Sequence, residues 1–89
     1  MSRLIRARDV DAMLAYAGFE LSAFDQQTGW APGYRVTQGD RRLVRVFHDG
    51  DGEQEQLAVY AALLESRGYS VVHEQQPGGG RRRLAVTKP

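Results

Sequence analysis

Apolar and polar residues along the chain fall into two helical stripes separated by alternating stretches. Val10, Met13, Leu14 and Ala17 recur at i, i+3, i+4 and i+7, the spacing of one buried helix face, so a first helix is expected over residues 10–17. Asp9 is placed to cap its start and Gly18 to close it in a left-handed conformation. Leu57, Tyr60, Ala61 and Leu64 form the second stripe, on a helix expected over 53–67 and closed by Gly68. Acidic Asp51, Glu53 and Glu55 lie near its start, where the helix dipole favours anions.

Between and after the helices the period drops to two. Phe19, Leu21 and Ala23 alternate over 19–24, and Tyr34 and Val36 over 34–38. Arg41–His48, Tyr69–Gln75 and Arg81–Thr87 complete five expected strands. The breaker-rich stretch 25–33, Gly39-Asp40, His48–Glu53 and Pro77–Gly80 supply the turns. Residues 1–8, with Arg3, Arg6 and Arg8 around Leu4 and Ile5, read as a short strand or a basic arm. The fold class that follows is α+β, one domain over 1–89. Two helices pack on one face of a mostly antiparallel five-stranded sheet, in the order α-β-β-β-α-β-β.

The two halves echo each other. Leu14-Ala15-Tyr16-Ala17-Gly18-Phe19-Glu20-Leu21 matches Leu64-Glu65-Ser66-Arg67-Gly68-Tyr69-Ser70-Val71. Asp25-Gln26-Gln27 matches Glu74-Gln75-Gln76, and Tyr34–Thr37 matches Leu84–Thr87. An internal αββ duplication accounts for this, and so does the bare requirement of any helix-strand-hairpin unit for these parts in this order.

Composition narrows the function classes. The chain has no cysteine, which excludes disulfides, thiolate catalysis and cysteine-zinc sites. The start MSRLIRARDV lacks an apolar run of signal-peptide length, and no segment approaches the roughly 20 apolar residues of a membrane span. The expected location is the cytoplasm, with no membrane partner. At 89 residues the core is small, and dimerisation is one way to supplement it.

The motifs that suggest chemistry do not hold. His48-Asp49-Gly50-Asp51-Gly52-Glu53 starts like a calcium loop, but counting from Asp49 the required Gly and Glu positions hold Gln54 and Tyr60. His48 and His73 have no metal-ligand spacing. Ser2, Ser22, Ser66 and Ser70 lie in no nucleophile elbow. Gly78-Gly79-Gly80 before Arg81-Arg82-Arg83 lacks the phosphate-loop pattern and precedes a strand rather than a helix. No catalytic, metal or cofactor residue is assigned, no small-molecule ligand is evident, and no enzymatic activity is expected.

The arginines remain. Net charge is only +1, yet eleven of the twelve Lys and Arg residues are arginine and Lys88 is the sole lysine. If Tyr34, Val36, Val44, Val46, Leu84 and Val86 point into the core, alternation sends Arg35, Arg45, Phe47, Arg81 and Arg83 to the opposite face, with Leu43 beside them and Trp30 nearby. This candidate binding face suits a protein partner or a second copy of the chain. The alternative is single-stranded nucleic acid, which favours basic groups interleaved with aromatics.

Two resemblances bear on this. The order α-β-β-β-α resembles the double-stranded RNA-binding domain, which carries a K-K-x-A-K signature at the start of its second helix. Here Glu53-Gln54-Glu55-Gln56-Leu57 occupies that place and would repel phosphate, so the family is set aside. The stretch Tyr60–Val71, closed by Leu84–Thr87, is similar to small actinobacterial proteins of phage or integrative-element type. That resemblance covers about half the chain and implies no active residues. The expectation is a non-enzymatic binding or accessory module acting through an exposed sheet face. An arginine-based nucleic-acid binder is the alternative and a small enzyme the third reading.

Overall fold

The computed structural model describes residues 3–89, with Trp30 described in its backbone only. The helices are α1 (Ala7–Tyr16) and α2 (Glu53–Ser66). The strands are β1 (Ala23–Asp25), β2 (Gly29–Ala31), β3 (Gly33–Asp40), β4 (Leu43–Asp49), β5 (Ser70–Gln75) and β6 (Arg82–Thr87). The α+β class holds, with both helices packed against one face of an antiparallel sheet ordered β3-β4-β6-β5.

The sheet has four strands rather than five. The expected first strand does not join as a strand: Leu21 makes a single parallel bridge to Tyr34, and β1 turns back on β2 as a separate ribbon. The reason is local. Asp25 Oδ1 accepts the N–H groups of Gln27 and Thr28 at 2.7 and 3.2 Å, which converts the expected loop into a tight turn. Gly33 permits the crossing of residues 20–22 over the start of β3. A Cβ there would lie 2.6 Å from Ser22 N and closer still to Glu20 O.

α1 starts earlier than its apolar spacing suggests, and Asp9 is not its cap. Arg6 is the N-cap residue, without a side-chain cap. Instead Gln38, on β3, accepts the Ala7 N–H through Oε1 at 2.8 Å and donates through Nε2 to the Ile5 carbonyl at 2.9 Å. Residues 1 and 2 of the expected arm or strand lie outside the described residues, and residues 3–6 form no regular strand. This segment is held at Arg3 by a bridge to Lys88, and at Ile5 by burial and an N–H bond to the Arg41 carbonyl.

Both helices end alike. Phe19 N–H donates to Leu14 C=O and Gly18 N–H to Ala15 C=O, and Tyr69 and Gly68 repeat this on Leu64 and Glu65. Gly18 and Gly68 have φ of +96° and +93°, which only glycine adopts without strain. This part of the internal echo is therefore structural. The second part is not: Tyr34–Thr37 lies on edge strand β3, whereas Leu84–Thr87 lies on inner strand β6. The register equates Val44-Arg45-Val46 with Leu84-Ala85-Val86, about a pseudo-two-fold at the Arg45–Ala85 pair. Two α-β-β units then form one sheet, and the β1–β2 ribbon is extra in the first. β4, α2 and β5 make a split β-α-β unit, with β6 between the parallel strands.

Val10, Leu14, Leu57, Tyr60, Ala61 and Leu64 from the helices meet Tyr34, Val44, Val46, Leu84 and Val86 from the sheet. Tyr60 is the meeting point. Its ring packs edge-on against Phe19 at 5.0 Å and Tyr34 at 6.3 Å. Its hydroxyl lies 2.8 Å from Nδ1 of buried His48, whose Nε2 faces the Asp51 carbonyl at 3.1 Å. A carbonyl only accepts, so Nε2 carries the proton and the Tyr60 hydroxyl donates to Nδ1. Replacing Tyr60 by Phe strands that acceptor and is expected to cost about 1–3 kcal/mol, read as a lowered urea midpoint. Tyr16→Phe, at a residue 93% exposed, should leave the midpoint unchanged. Gly33→Ala should also cost about 1–3 kcal/mol, because neighbouring backbone must shift to admit a methyl.

Candidate functional site

Cross-strand partners share a face. The register therefore puts Arg35 with Phe47, Thr37 with Arg45 and Ala85, Ala85 with Val72, and Arg83 with Glu74, all on the side away from the helices. Helix-side positions Val44, Val46 and His48 of β4 are buried, which settles the orientation of that strand. Arg35, Arg45, Phe47, Arg81 and Arg83 thus do come together on one side of the sheet. The Trp30 side chain lies outside the described residues.

The residues are not an open cationic platform. Phe47 is only 6% exposed, although no helix covers it. The Arg35 guanidinium lies 4.4 Å above its ring and that of Arg81 at 5.7 Å. Asp49 holds both arginines in place. Its carboxylate accepts from Arg35 Nε at 3.1 Å, Arg81 Nη1 at 2.7 Å and the Ser22 hydroxyl at 2.8 Å. Arg81 also donates to the His48 carbonyl at 2.5 Å and reaches Glu53 at 3.4 Å, tying the face to the first turn of α2. A second group lies across β5, where Glu74 Oε1 takes Arg83 Nε at 2.7 Å and Arg45 Nε at 3.4 Å. Four guanidiniums thus meet three carboxylates, and the face is close to neutral.

Asp49 is the electrostatic centre. Burial alone would raise its pKa, but the hydrogen bonds from Ser22, Arg81 and Arg35 outweigh burial and hold it below the ordinary carboxylate range. Arg81 moves the opposite way. Burial lowers its pKa, yet Asp49 and Glu53 raise it further. Arg35, Asp49, Gly50 and Arg81 line an open hollow of about 570 Å³. With three donors on it, the Asp49 carboxylate is a weak proton acceptor.

Asp49 of the calcium-like stretch faces arginines, and among the described residues no group of three or more His, Cys, Asp or Glu is placed to hold a metal. The three glycines before Arg81 form a hairpin loop, and the arginines after it diverge: Arg81 to Asp49, Arg83 to Glu74, and Arg82 to an exposed position on the helix side of the sheet. No described helix is long and apolar enough to cross a membrane. The sequence reading missed the acidic partners Asp49, Glu53 and Glu74. Asp49 was within reach, since it follows Phe47 by two residues and so shares its face.

Comparison with models of protein families, with curated proteins and with solved structures finds no match.

Asp49→Asn removes the charge that binds both arginines and should cost about 1–3 kcal/mol near neutral pH. The folded pKa of Asp49 lies below its unfolded value. Its contribution is therefore present above about pH 4 and lost as the pH falls through the folded pKa. Acid titrations of stability should show a shallower acid limb in the variant than in the parent chain.

Proposed function

We propose that the protein is a non-enzymatic module that binds protein surfaces through the uncovered side of its sheet and works as a homodimer. The observation that carries this reading is the state of the arginines. They are locked against Asp49, Glu53 and Glu74 in a near-neutral lattice, beside an uncharged strip of Thr37, Leu43, Ala85 and Val72. Ordered, paired arginines next to apolar and hydroxyl side chains suit a protein interface, where Arg is enriched and a mixed-charge rim fixes orientation.

Nucleic acid fits this face less well. Single-strand binders need exposed aromatic rings and unneutralised cations to follow the phosphates. Here the Phe47 ring is already stacked under Arg35, and each of the four arginines has a carboxylate. A partner phosphate would have to compete with Asp49 and Glu74 for the same guanidiniums. The weak basicity of Asp49 and the openness of its hollow favour a binding role over catalysis.

Amide NMR spectra recorded from micromolar to millimolar protein test the reading. Concentration-dependent shifts are expected at Arg45, Val72 and Ala85 and not along the outer surfaces of α1 and α2. Shifts confined to the helices, or none at any concentration, would overturn it. Salt-sensitive shifts on the arginine face with added single-stranded oligonucleotide would replace it by the nucleic-acid reading.

A further inference from the structure

The two edges of the sheet are treated differently. The β3 edge is closed at both ends. At one end residues 20–22 bond to both sides of Tyr34, and at the other Gln38 binds Ala7 and Ile5. Among the described residues, β5 pairs only with β6. Gln76 N–H donates to the Arg81 carbonyl at 2.9 Å, and the register continues unbroken from there through Gln75–Arg82 to Ser70–Thr87. Antiparallel pairing alternates, so Ser70, Val72 and Glu74 turn their backbone groups to β6, while Val71, His73 and Gln75 turn theirs to the open edge. β5 lacks the usual protections. It contains no proline, no lysine and no bulge, and its single charge, Glu74, is drawn inward by Arg45 and Arg83. On the outer face beside this edge Val72 stands 61% exposed.

We propose that β5 pairs antiparallel with β5 of a second copy, with the two-fold axis at Val72, joining two four-stranded sheets into one of eight. This rests on the reading of the protein as a self-associating module and names its contact. The register follows from self-complementarity. With Val72 opposite the partner's Val72, Val71 and His73 exchange backbone hydrogen bonds with the partner's His73 and Val71, and both exposed valines are buried against each other. Glu74 then faces the partner's Ser70, a hydroxyl donor. Shifting the axis to His73 puts Val72 against the partner's Glu74 and loses the apolar pair. Shifting it further, to Glu74, sets two carboxylates face to face. The neutral outer face is continuous across such a joint, and no like charges meet there.

The chain has no cysteine, which gives a clean test by Val72→Cys. A non-hydrogen-bonded antiparallel pair brings Cα atoms to about 4.5 Å, within the range of a disulfide. Under diamide, Val72→Cys should convert to a reducible cross-linked dimer. Tyr16→Cys, on exposed α1, and Ser70→Cys should remain monomeric. In the parent chain, amide exchange at Val71, His73 and Gln75 should slow as protein concentration rises. Cross-linking at Val72→Cys no faster than at Tyr16→Cys overturns the proposal, as does preferential cross-linking of His73→Cys. If cross-linking fails while amide shifts on the sheet still depend on concentration, the edge joint falls and the self-association reading stands. If those shifts are absent as well, both fall.

Discussion

The structure depends on two adjacent residues at the end of β4 that point to opposite sides of the sheet. His48 turns toward the helices and takes the hydroxyl of Tyr60, while Asp49 turns outward and gathers Ser22, Arg35 and Arg81. The two-residue period of a strand makes these placements one constraint. A slip of one residue would expose His48 and bury an unpaired carboxylate. The His48 backbone joins the two sides, because its carbonyl receives Arg81 from the outer face. Packing of α2 and order on the arginine face are thereby coupled at the His48 backbone as well as through the Arg81–Glu53 contact.

That coupling explains how a small chain keeps an ordered face without helices to cover it. Phe47 on the outer side would be an exposed aromatic in a bare sheet. Instead the Arg35 and Arg81 guanidiniums lie over it and are held there by Asp49, so arginine stems and planes do the work of a second layer. The cost is that the cations are spent on internal contacts. The same arrangement that orders the face neutralises most of its positive charge.

The two α-β-β units meet at β4 and β6, which leaves β3 and β5 as edges. Only the first unit carries the extra β1–β2 ribbon, and the chain leading into it covers its edge at Tyr34. The second unit has the same helix end, but its chain passes directly into β5 and lays no such cover on the edge. The asymmetry between the halves therefore leaves the β5 edge uncovered, with Val72 exposed beside it.

Much of this was legible in the residues. The stripe on α2, the glycine closures at Gly18 and Gly68, the inward Val44, Val46, Leu84 and Val86, and the shared face of the arginines all follow from periodicity and glycine chemistry, which act over a few residues. What the tertiary structure alone decided was pairing between distant segments. Gln38 caps α1 from another strand, residues 20–22 lose their place as a full strand to the Asp25 turn, and β6 inserts between β4 and β5. Above all, local pattern places arginines on a face but cannot say which carboxylates will reach them. Asp49, Glu53 and Glu74 come from three separate elements, and only the closed sheet brings them within hydrogen-bonding distance.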